Sequence, residues 1–345
     1  MKKSLIIIFC IFALTHISCT NLQKQIVFQT DPIILKTEGW HVVQYELKDI
    51  SQDAILEIQN YIKPNAAWYG STSINGKPLE AETRSQAQRI YSPNSDGTVS
   101  AFYHSGNSIQ YKRQEDAIVF REEFLEENDP LEQQFSIEPD ISMEDAYEVA
   151  SQLIEKMEFL QDYSLLYWNK AVSIGKDEIV TSIGWDFIFT RTIDGINSVN
   201  TDGWNQWINQ SAPKNYGAWQ EKCWIYVDEH GLFRIRIDNL GAQKTNSKEV
   251  TLINSETIKQ TIIKELEMRY LSNPKYRIKV INIVLRRAML NDEENEDGGI
   301  STPCWEIRYT VDDDQMNEVL YLNAVTGDYI EPGMNKEAYD ICFNS

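Results

Sequence analysis

The chain has 345 residues, a formal net charge of −20, and 9 Trp, 17 Tyr and 12 Phe. Its acidity excludes non-specific binding to nucleic acid or to an anionic membrane surface, because both depend on basic side chains that attract phosphate groups. The abundant aromatic residues favour folded cores over disorder, and the length suits two or three domains.

The first 18 residues have the pattern of a secretory signal peptide. Lys2 and Lys3 precede an unbroken apolar run from Leu5 to Leu14. That run is too short to span a bilayer as a helix, which takes about 20 residues. We therefore expect residues 1–18 to be removed, which would take the formal charge from −20 to −22.

The residues after this run resemble the lipobox of bacterial lipoproteins. A small residue, Ser18, stands directly before Cys19, although His16 occupies a position where the family usually has leucine. The resemblance implies acylation of Cys19, a lipidated tether over residues 19–39 and stable attachment to the outer face of the cytoplasmic membrane through two or three acyl chains. Ordinary cleavage near Ser18 and an uncut N-terminal anchor are the alternatives.

The cysteines of the mature chain allow two interpretations. With Cys10 removed and Cys19 lipidated, Cys223, Cys304 and Cys342 remain, and an odd number cannot all pair internally. An exported protein can form a disulfide between Cys304 and Cys342, which share the C-terminal region. The alternative, which we favour, is that all three are buried thiols acting as small apolar groups.

Residues 40–138 are predicted to form an N-terminal α+β domain. HVVQYELKDIS alternates like a strand, and DAILEIQNYI places Ile55, Ile58 and Ile62 at helical spacing. TVSAFYHSG and SIQYKRQ read as strands joined at SGNS, and AIVFREEF reads as a further strand. The acidic, proline-bearing stretch over residues 126–140 is the predicted linker between this domain and the rest of the chain.

The remainder of the chain repeats one order of elements. SMEDAYEVASQLIEKM has a helical apolar stripe and begins with a capping box formed by Ser142 and Asp145. It is followed by the strand IGWDFIFTR and the hairpin CWIYVDEHGLFRIRI. The same order recurs in NSETIKQTIIKELEMRYL, the strands YRIKVINIVLRRAML and CWEIRYTVD, and the hairpin EVLYLNAVTGDYI. Trp185 and Trp305 occupy corresponding places, which indicates an internal repeat.

This order, closed by a hairpin with a short Asp/Asn-to-Gly turn, resembles the PepSY-type module. Asn323 to Gly327 match that turn well, and Asp228 to Gly231 match it loosely. The resemblance implies a helix packed across an antiparallel sheet in each copy. Tandem modules behind a lipoprotein signal are similar to regulatory lipoproteins of Gram-positive bacteria and to extracytoplasmic proteins that restrain sensor kinases. The implied role is binding or inhibition of peptides and proteins outside the cell.

The predicted fold is therefore α+β, with an N-terminal α+β domain followed by two repeated modules, each a helix packed on an antiparallel sheet. The predicted boundaries are a first module over residues 141–240 with an insert over 201–221, a second module over 254–333, and a C-terminal tail over 334–345.

Metal-binding patterns are weak. His41, His104 and His230 are isolated in the sequence, and we expect them to be surface or turn residues rather than ligands. The acidic loop over residues 291–299 begins like an EF-hand, but the twelfth position, which should supply a bidentate glutamate, falls on Cys304. A solvated acidic loop is the preferred interpretation, and no metal or cofactor is predicted.

Catalytic patterns are equally weak. The S-x-x-K matches over residues 211–214 and 272–275 each contain a proline, which breaks the helix that would align serine with lysine. The sequence contains no G-x-S-x-G. We predict no catalytic residue, and a cell-envelope hydrolase is kept only as an alternative.

The insert is the stretch whose composition suits recognition. It carries Trp204, Trp207, Tyr216 and Trp219 among Asn, Gln, Gly and Ser, which suits stacking on sugars or gripping a peptide. The alternative is that these rings cover the domain's own core, since exposed tryptophans are costly. The expected function is a lipid-anchored, non-enzymatic binding or regulatory protein with a protein, peptide or glycan partner, and capture of carbohydrate or peptide by the insert is an alternative.

Overall fold

A computed structural model describes most of the chain between residues 26 and 330. The described residues are 26–32, 36–46, 50–70, 88–105, 108–121, 131–175, 179–199, 222–238, 243–271, 277–291, 298–312 and 318–330. The chain divides into two compact units, each built from separate stretches of sequence. Residues 1–43, 246–290 and 300–345 contribute the first unit through their described parts, and residues 44–245 and 291–299 contribute the second.

Strands and short helices make up these units. The strands are β1 Ile26–Phe28, β2 Trp40–Glu46, β3 Tyr69–Gly70, β4 Gln88–Pro93, β5 Val99–Ser105, β6 Ser108–Lys112, β7 Ile118–Arg121, β8 Tyr163–Ile174, β9 Val180–Ile193, β10 Ile196–Asn197, β11 Lys222–Asp228, β12 Gly231–Asp238, β13 Gln243–Val250, β14 Ile278–Asn291, β15 Gly298–Val311 and β16 Glu318–Asn323. The helices are α1 Gln52–Ile62, α2 Glu132–Phe135, α3 Met143–Lys156 and α4 Ser255–Arg269, with a 3₁₀ turn at Glu158–Leu160. The fold is thus a mixture of helices with antiparallel and mixed sheets.

The second unit is organised around one ten-stranded sheet with the order β3-β4-β5-β6-β12-β11-β9-β8-β7, and β10 pairs with β9. Neighbours along this order are antiparallel. The pairing of β6 with β12 joins strands from both sides of the predicted linker at 126–140. The expected boundary between a domain over 40–138 and a module over 141–240 therefore does not coincide with a boundary between units.

Helices α1 and α3 contribute apolar side chains to the core of this unit. Leu153 of α3 is fully buried in the same cluster as Phe187, Ile225 and Ile235 of the sheet, and Ile58 of α1 belongs to it too. Burial of each such side chain stabilises the fold by roughly 1.5–3 kcal/mol. One face of the sheet thereby packs against the helices. The opposite face carries a smaller buried cluster of Ala117, Ala171, Tyr226 and Phe233.

Polar caps fix where the longer helices begin. Ser142 Oγ accepts a hydrogen bond from the Asp145 backbone N–H at 3.0 Å and donates to the Asp145 carboxylate at 2.7 Å, so the predicted capping interaction is confirmed. Asn254 caps α4 in the same way, through its side-chain oxygen and the Thr257 N–H at 2.9 Å. Such caps contribute about 1 kcal/mol each.

The first unit contains a six-stranded sheet with the order β1-β14-β15-β2-β13, and β16 pairs with β15. β1 runs parallel to β14, which makes this sheet mixed, whereas the sequence predicted an antiparallel one. Arg287 is fully buried here. Its guanidinium donates to Ser301 Oγ at 2.8 Å, to Ser301 O at 2.9 Å and to His41 O at 2.6 Å, which ties three neighbouring strands together.

Two long strands are not predicted by the sequence, for different reasons. β8 shifts register between Leu165 and Tyr167, and this irregularity breaks the alternation on which strand prediction depends. The sequence of β13, QKTNSKEV, is exposed over its first seven residues and offers no apolar face. β13 forms because its backbone pairs with β2, which local sequence cannot reveal.

Gly184 permits the close approach of β9 to β11. A Cβ atom at this position would stand 2.1 Å from the Val227 carbonyl oxygen and 3.0 Å from the Tyr226 ring. The pairing of β11 with β12 shifts register at the same two residues. A side chain at position 184 would therefore push apart the two strands at the centre of the sheet.

We predict that Gly184→Ala destabilises the protein by about 3 kcal/mol, because the methyl group meets backbone rather than a flexible side chain. Urea unfolding followed by circular dichroism measures this. Gly195→Asn is the matched control, since Gly195 lies at φ +79° with no described atom within 4 Å of its Cβ position, and asparagine tolerates that conformation. Equal stability of the two variants would contradict the close approach.

Candidate functional site

The face of the ten-stranded sheet opposite α3 carries ordered rows of polar side chains. Successive residues of a strand point to opposite faces, so residues paired across strands share a face. Arg89 pairs with Tyr103, and Tyr103 pairs with Gln110. In the neighbouring row Ala101 pairs with Lys112, and Lys112 pairs with Arg234.

A cavity of about 230 Å³ lies between these rows. We call it the basic cavity. Its lining residues are Arg89, Ala101, Tyr103, Gln110, Lys112 and Glu115. Ala101 contributes only a methyl group where the neighbouring positions carry long side chains, which leaves room between Tyr103 and Lys112. A carboxylate or another small anion fits a space of this size and charge.

Within the basic cavity, Lys112 has a lowered pKa. Its Nζ donates to the Ala117 carbonyl oxygen at 3.0 Å. Burial lowers the pKa of Lys112, and the guanidinium groups of Arg234 and Arg89 lower it further, against the opposing effect of Glu115 and Asp116. The ammonium group is therefore poorly compensated, and a bound anion would stabilise its charged form.

Arg89, at the rim of the cavity, already has an acidic partner. Its Nη2 donates to Glu115 Oε1 at 2.8 Å, and its side chain is about half exposed. Exposed pairs of this kind contribute at most about 1 kcal/mol. The arginine is held in place by this pair and remains accessible to solvent.

Positive charge continues along the same face onto β11 and β12. The cationic groups of Lys222, Arg236 and Arg234 lie 4.6, 5.1 and 5.6 Å from the centre of the Trp224 ring. Cation–π contacts of this geometry are attractive and orient the basic side chains. A chain of net charge −20 thus concentrates several of its cations on one sheet face.

A buried ion pair sets the position of the basic cavity. Arg113, the residue after Lys112, donates from Nη1 to Asp228 Oδ1 at 2.9 Å and from Nη2 to the second oxygen. Asp228 is fully buried and also accepts the His230 backbone N–H at 2.9 Å. The pair anchors the end of β6 to the turn between β11 and β12. It therefore holds Lys112 beside Arg234.

We predict that Arg113→Met destabilises the protein by about 3 kcal/mol, because it leaves the Asp228 carboxylate buried without its charge partner. Asp228→Asn should cost less, since its side-chain oxygen can still accept from His230 N. The double variant Arg113→Met/Asp228→Asn should be more stable than Arg113→Met alone. Urea unfolding of the three variants measures this coupling, and strictly additive effects would contradict it.

Many of the predicted site residues lie outside the part of the chain that the structure describes. They are Cys19, Trp204, Trp207, Tyr216, Trp219 and Cys342, with both S-x-x-K stretches and Glu293, Asn295 and Asp297, the alternate positions that make the acidic loop resemble the start of an EF-hand. Cys223 and Cys304 are described, and both are buried. Burial raises the pKa of the Cys304 thiol well above its usual range, which leaves it protonated and unreactive.

The histidines differ from the expectation at one position. His230 lies in a turn, 3.6 Å from Glu229 through Nε2, as expected. His104 was expected at the surface but is buried on β5, and its Nε2 has no hydrogen-bond partner among the described residues. It faces the side of the sheet that carries the buried Phe102, so the alternation of the strand takes it into the core.

Within the described part of the chain, no group of His, Cys, Asp and Glu is arranged to hold a metal ion.

We predict that His104 makes the protein less stable in mild acid. In the folded chain, burial lowers the pKa of His104 below its ordinary value of 6.5. The unfolded chain therefore binds the proton more readily than the folded chain. Stability should therefore fall as the pH drops below about 6.5. Urea unfolding at pH 7.5 and 5.5 should show a smaller acid-induced loss for His104→Leu than for the wild type. The turn variant His230→Gln is the control, and an identical loss in all three proteins would contradict the prediction.

Comparison with known proteins identifies the fold but no family. No protein-family model and no curated protein matches the chain. A solved structure described as an uncharacterized protein from Eubacterium rectale is similar with a TM-score of 0.56 and 14% identity, covering 89% of this chain and 91% of that chain. The two proteins share a fold. The Bacillus megaterium YpeB C-terminal domain matches with a TM-score of 0.42 and 12% identity over 84% of this chain and 100% of that chain, a likeness too low to support an argument.

The basic cavity is not among the predicted sites, although the sequence carries a signal for part of it. In the stretch FRIRI of β12, Ile235 and Ile237 are buried while Arg234 and Arg236 alternate with them. Such alternation predicts a strand with one basic face. That Lys112 and Arg89 join the same face depends on strand order, which the sequence does not display.

Within the described residues, no helix is long and apolar enough to cross a membrane.

Proposed function

We propose that this protein is a lipid-anchored, non-enzymatic binding or regulatory protein on the outer face of the cytoplasmic membrane, built with two PepSY-like modules. The observation that carries the binding role is the basic cavity, a small, positively charged recess on the sheet face opposite α3 in a strongly acidic chain. The lipobox-like Cys19 motif supports the anchor.

Strand register supports the proposed repeat. In the first module Trp185 pairs with Val227, so the adjacent pair is Asp186 with Tyr226. In the second module Trp305 pairs with Leu322, and the adjacent pair is Glu306 with Tyr321. Each copy therefore places a tryptophan opposite an aliphatic residue on one face, and an acid opposite a tyrosine on the other.

The hairpin turns support the same correspondence. Asp228 follows Val227 and accepts a hydrogen bond from the backbone N–H two residues on. Asn323 follows Leu322 and accepts from the Val325 N–H, also two residues on, at 2.8 Å. Glycines with positive φ then end both turns. Asp and Asn suit this position because their short side chains bond to the nearby backbone.

Two described residues are unsuited to the chemistry of the alternative, a cell-envelope hydrolase. The Cys304 thiol is buried and kept protonated, so it cannot serve as a nucleophile. His104 is buried away from the basic face. Capture of carbohydrate or peptide by Trp204, Trp207, Tyr216 and Trp219 is a second candidate that rests on composition.

We predict that Cys19→Ala abolishes incorporation of a labelled fatty acid and shifts the protein out of the membrane fraction, because the acylated thiol is removed. Metabolic labelling and fractionation measure both effects. Cys342→Ala, which removes a thiol elsewhere, should behave like the wild type. Equal labelling of the wild type and Cys19→Ala would contradict the anchor.

The binding role is tested by site-specific photo-crosslinking in the anchored protein. Tyr103 lines the cavity and is exposed, so a benzoyl-phenylalanine introduced there should form adducts. The same probe at Leu271, which is 68% exposed and lies in the other unit, is the control. Adducts specific to position 103 that disappear with Lys112→Met support the role. Adducts that are the same at both positions, or unaffected by Lys112→Met, contradict it.

A further inference from the structure

We propose that the basic cavity binds the carboxylate of a glutamate or aspartate side chain presented by a peptide or protein partner. This inference rests on the proposed binding function and names the chemistry of the partner at the same site. It is carried by the charge, the size and the donors of the cavity.

The charge of the lining matches a single carboxylate. Among the described residues, Arg89 and Lys112 are the cations that line the cavity, and Glu115 is the acid. Because Glu115 pairs with Arg89 at 2.8 Å, one net positive charge is left, centred on Lys112. Arg234, opposite Lys112 on β12, adds to the positive potential at that point. A carboxylate would balance this charge, whereas the charge of a doubly charged phosphate would exceed that of the lining itself.

The size of the cavity points to one side chain rather than a whole small molecule. Its volume is about 230 Å³, and pockets that enclose drug-sized ligands span roughly 300–1,000 Å³. An acidic side chain that enters from a larger molecule fills such a space, while the rest of that molecule stays on the open sheet face. The exposed ring of Tyr103 beside the opening offers an apolar surface to the adjoining residues of the partner.

Suitable donors surround the space. The Lys112 ammonium uses one of its protons on the Ala117 carbonyl and has further protons to donate. The Gln110 side chain also lines the cavity and supplies an amide donor. Charge-assisted hydrogen bonds to a carboxylate are about twice as strong as neutral ones. Such a bond would also offset the burial and the neighbouring guanidinium charges that lower the pKa of Lys112.

The long-range charge of the chain favours an isolated acidic residue over an acidic polymer. The net charge of −20 repels acidic polymers in general, but screening limits that repulsion to about 8 Å at physiological salt. A single acidic residue in a neutral context therefore experiences mainly the local positive potential. A polyacidic partner should be disfavoured.

The experiment uses the full-length protein and a trifluoroacetyl-Ala-Glu-Ala-amide peptide, with its Gln twin as the matched ligand. Fluorine NMR line broadening detects the weak binding expected of so short a peptide. The Glu peptide should bind at least fivefold more tightly than the Gln twin. Lys112→Met should remove this preference, because methionine keeps the length of the side chain but not the charge. Ala101→Leu should remove binding by filling the cavity.

The controls separate loss of the site from loss of the fold. Lys112→Arg keeps the charge and should retain the preference for the Glu peptide. Lys248→Met removes the same charge from an exposed position on β13 and should leave binding unchanged. Thermal unfolding and circular dichroism confirm that each variant is folded. Equal binding of the two peptides, or an unaltered preference in Lys112→Met, would overturn the proposal.

Inorganic phosphate distinguishes a free anion from a peptide side chain. Lys112-dependent binding of phosphate, measured by phosphorus NMR line broadening, without any binding of the Glu peptide would assign the cavity to small anions and overturn the proposal. If Lys112-dependent adducts still form at position 103 while the Glu peptide fails to bind, the binding function stands and the ligand class is wrong. If both fail, the proposed function itself fails at this cavity.

Discussion

The pairing of β6 with β12 is the contact on which the rest of the second unit depends. It joins strands more than 100 positions apart in sequence, from Ile109 opposite Ile237 to Lys112 opposite Arg234. One side of each strand supplies Ile109, Tyr111, Ile235 and Ile237 to the apolar core. The Arg113–Asp228 ion pair strengthens this junction at the end of β6. Without the pairing there would be two smaller sheets, each with an edge that has unpaired backbone groups.

The same pairing concentrates positive charge. Each strand alone carries one or two basic residues that would be screened at the surface. Alignment of the strands brings Arg89, Lys112 and Arg234 onto one face, where partial burial weakens the screening. Burial lowers the pKa of Lys112, and the neighbouring Arg234 and Arg89 lower it further. Stability and the proposed recognition would thus be linked, because the ion pair that secures the junction lies next in sequence to the lysine of the cavity.

The two proposed PepSY-like modules share one framework and differ in what surrounds it. Both pair a tryptophan-bearing strand with a strand that ends in an Asp or Asn turn. In the second unit the sheet extends through β6 to further strands, which carry the basic cavity. In the first unit β1 and β2 add to the sheet instead, and buried Arg287 donates to backbone and hydroxyl oxygens. A common framework with different flanking strands would allow one module to recognise a partner and the other to serve as structural support.

The sequence by itself determined the local elements whose signals are contained within a few residues. The cap at Ser142, the helical stripe of Ile258, Ile262 and Leu266, and the hairpin at Asp228–Gly231 all appear where the patterns place them. These features depend on side chains that bond or pack within one or two turns of the chain. They can therefore be predicted from the sequence without knowledge of the fold.

Only the tertiary structure decided which strands become neighbours. The union of β4, β5 and β6 with β8, β9, β11 and β12 in one sheet, the exposed strand β13 and the burial of His104 all follow from non-local backbone pairing. The basic cavity has the same origin, because Arg89, Tyr103 and Lys112 reach its walls from three strands. Non-local hydrogen bonds can form between many alternative partners, and the choice among them is made by packing of the whole core rather than by any local pattern.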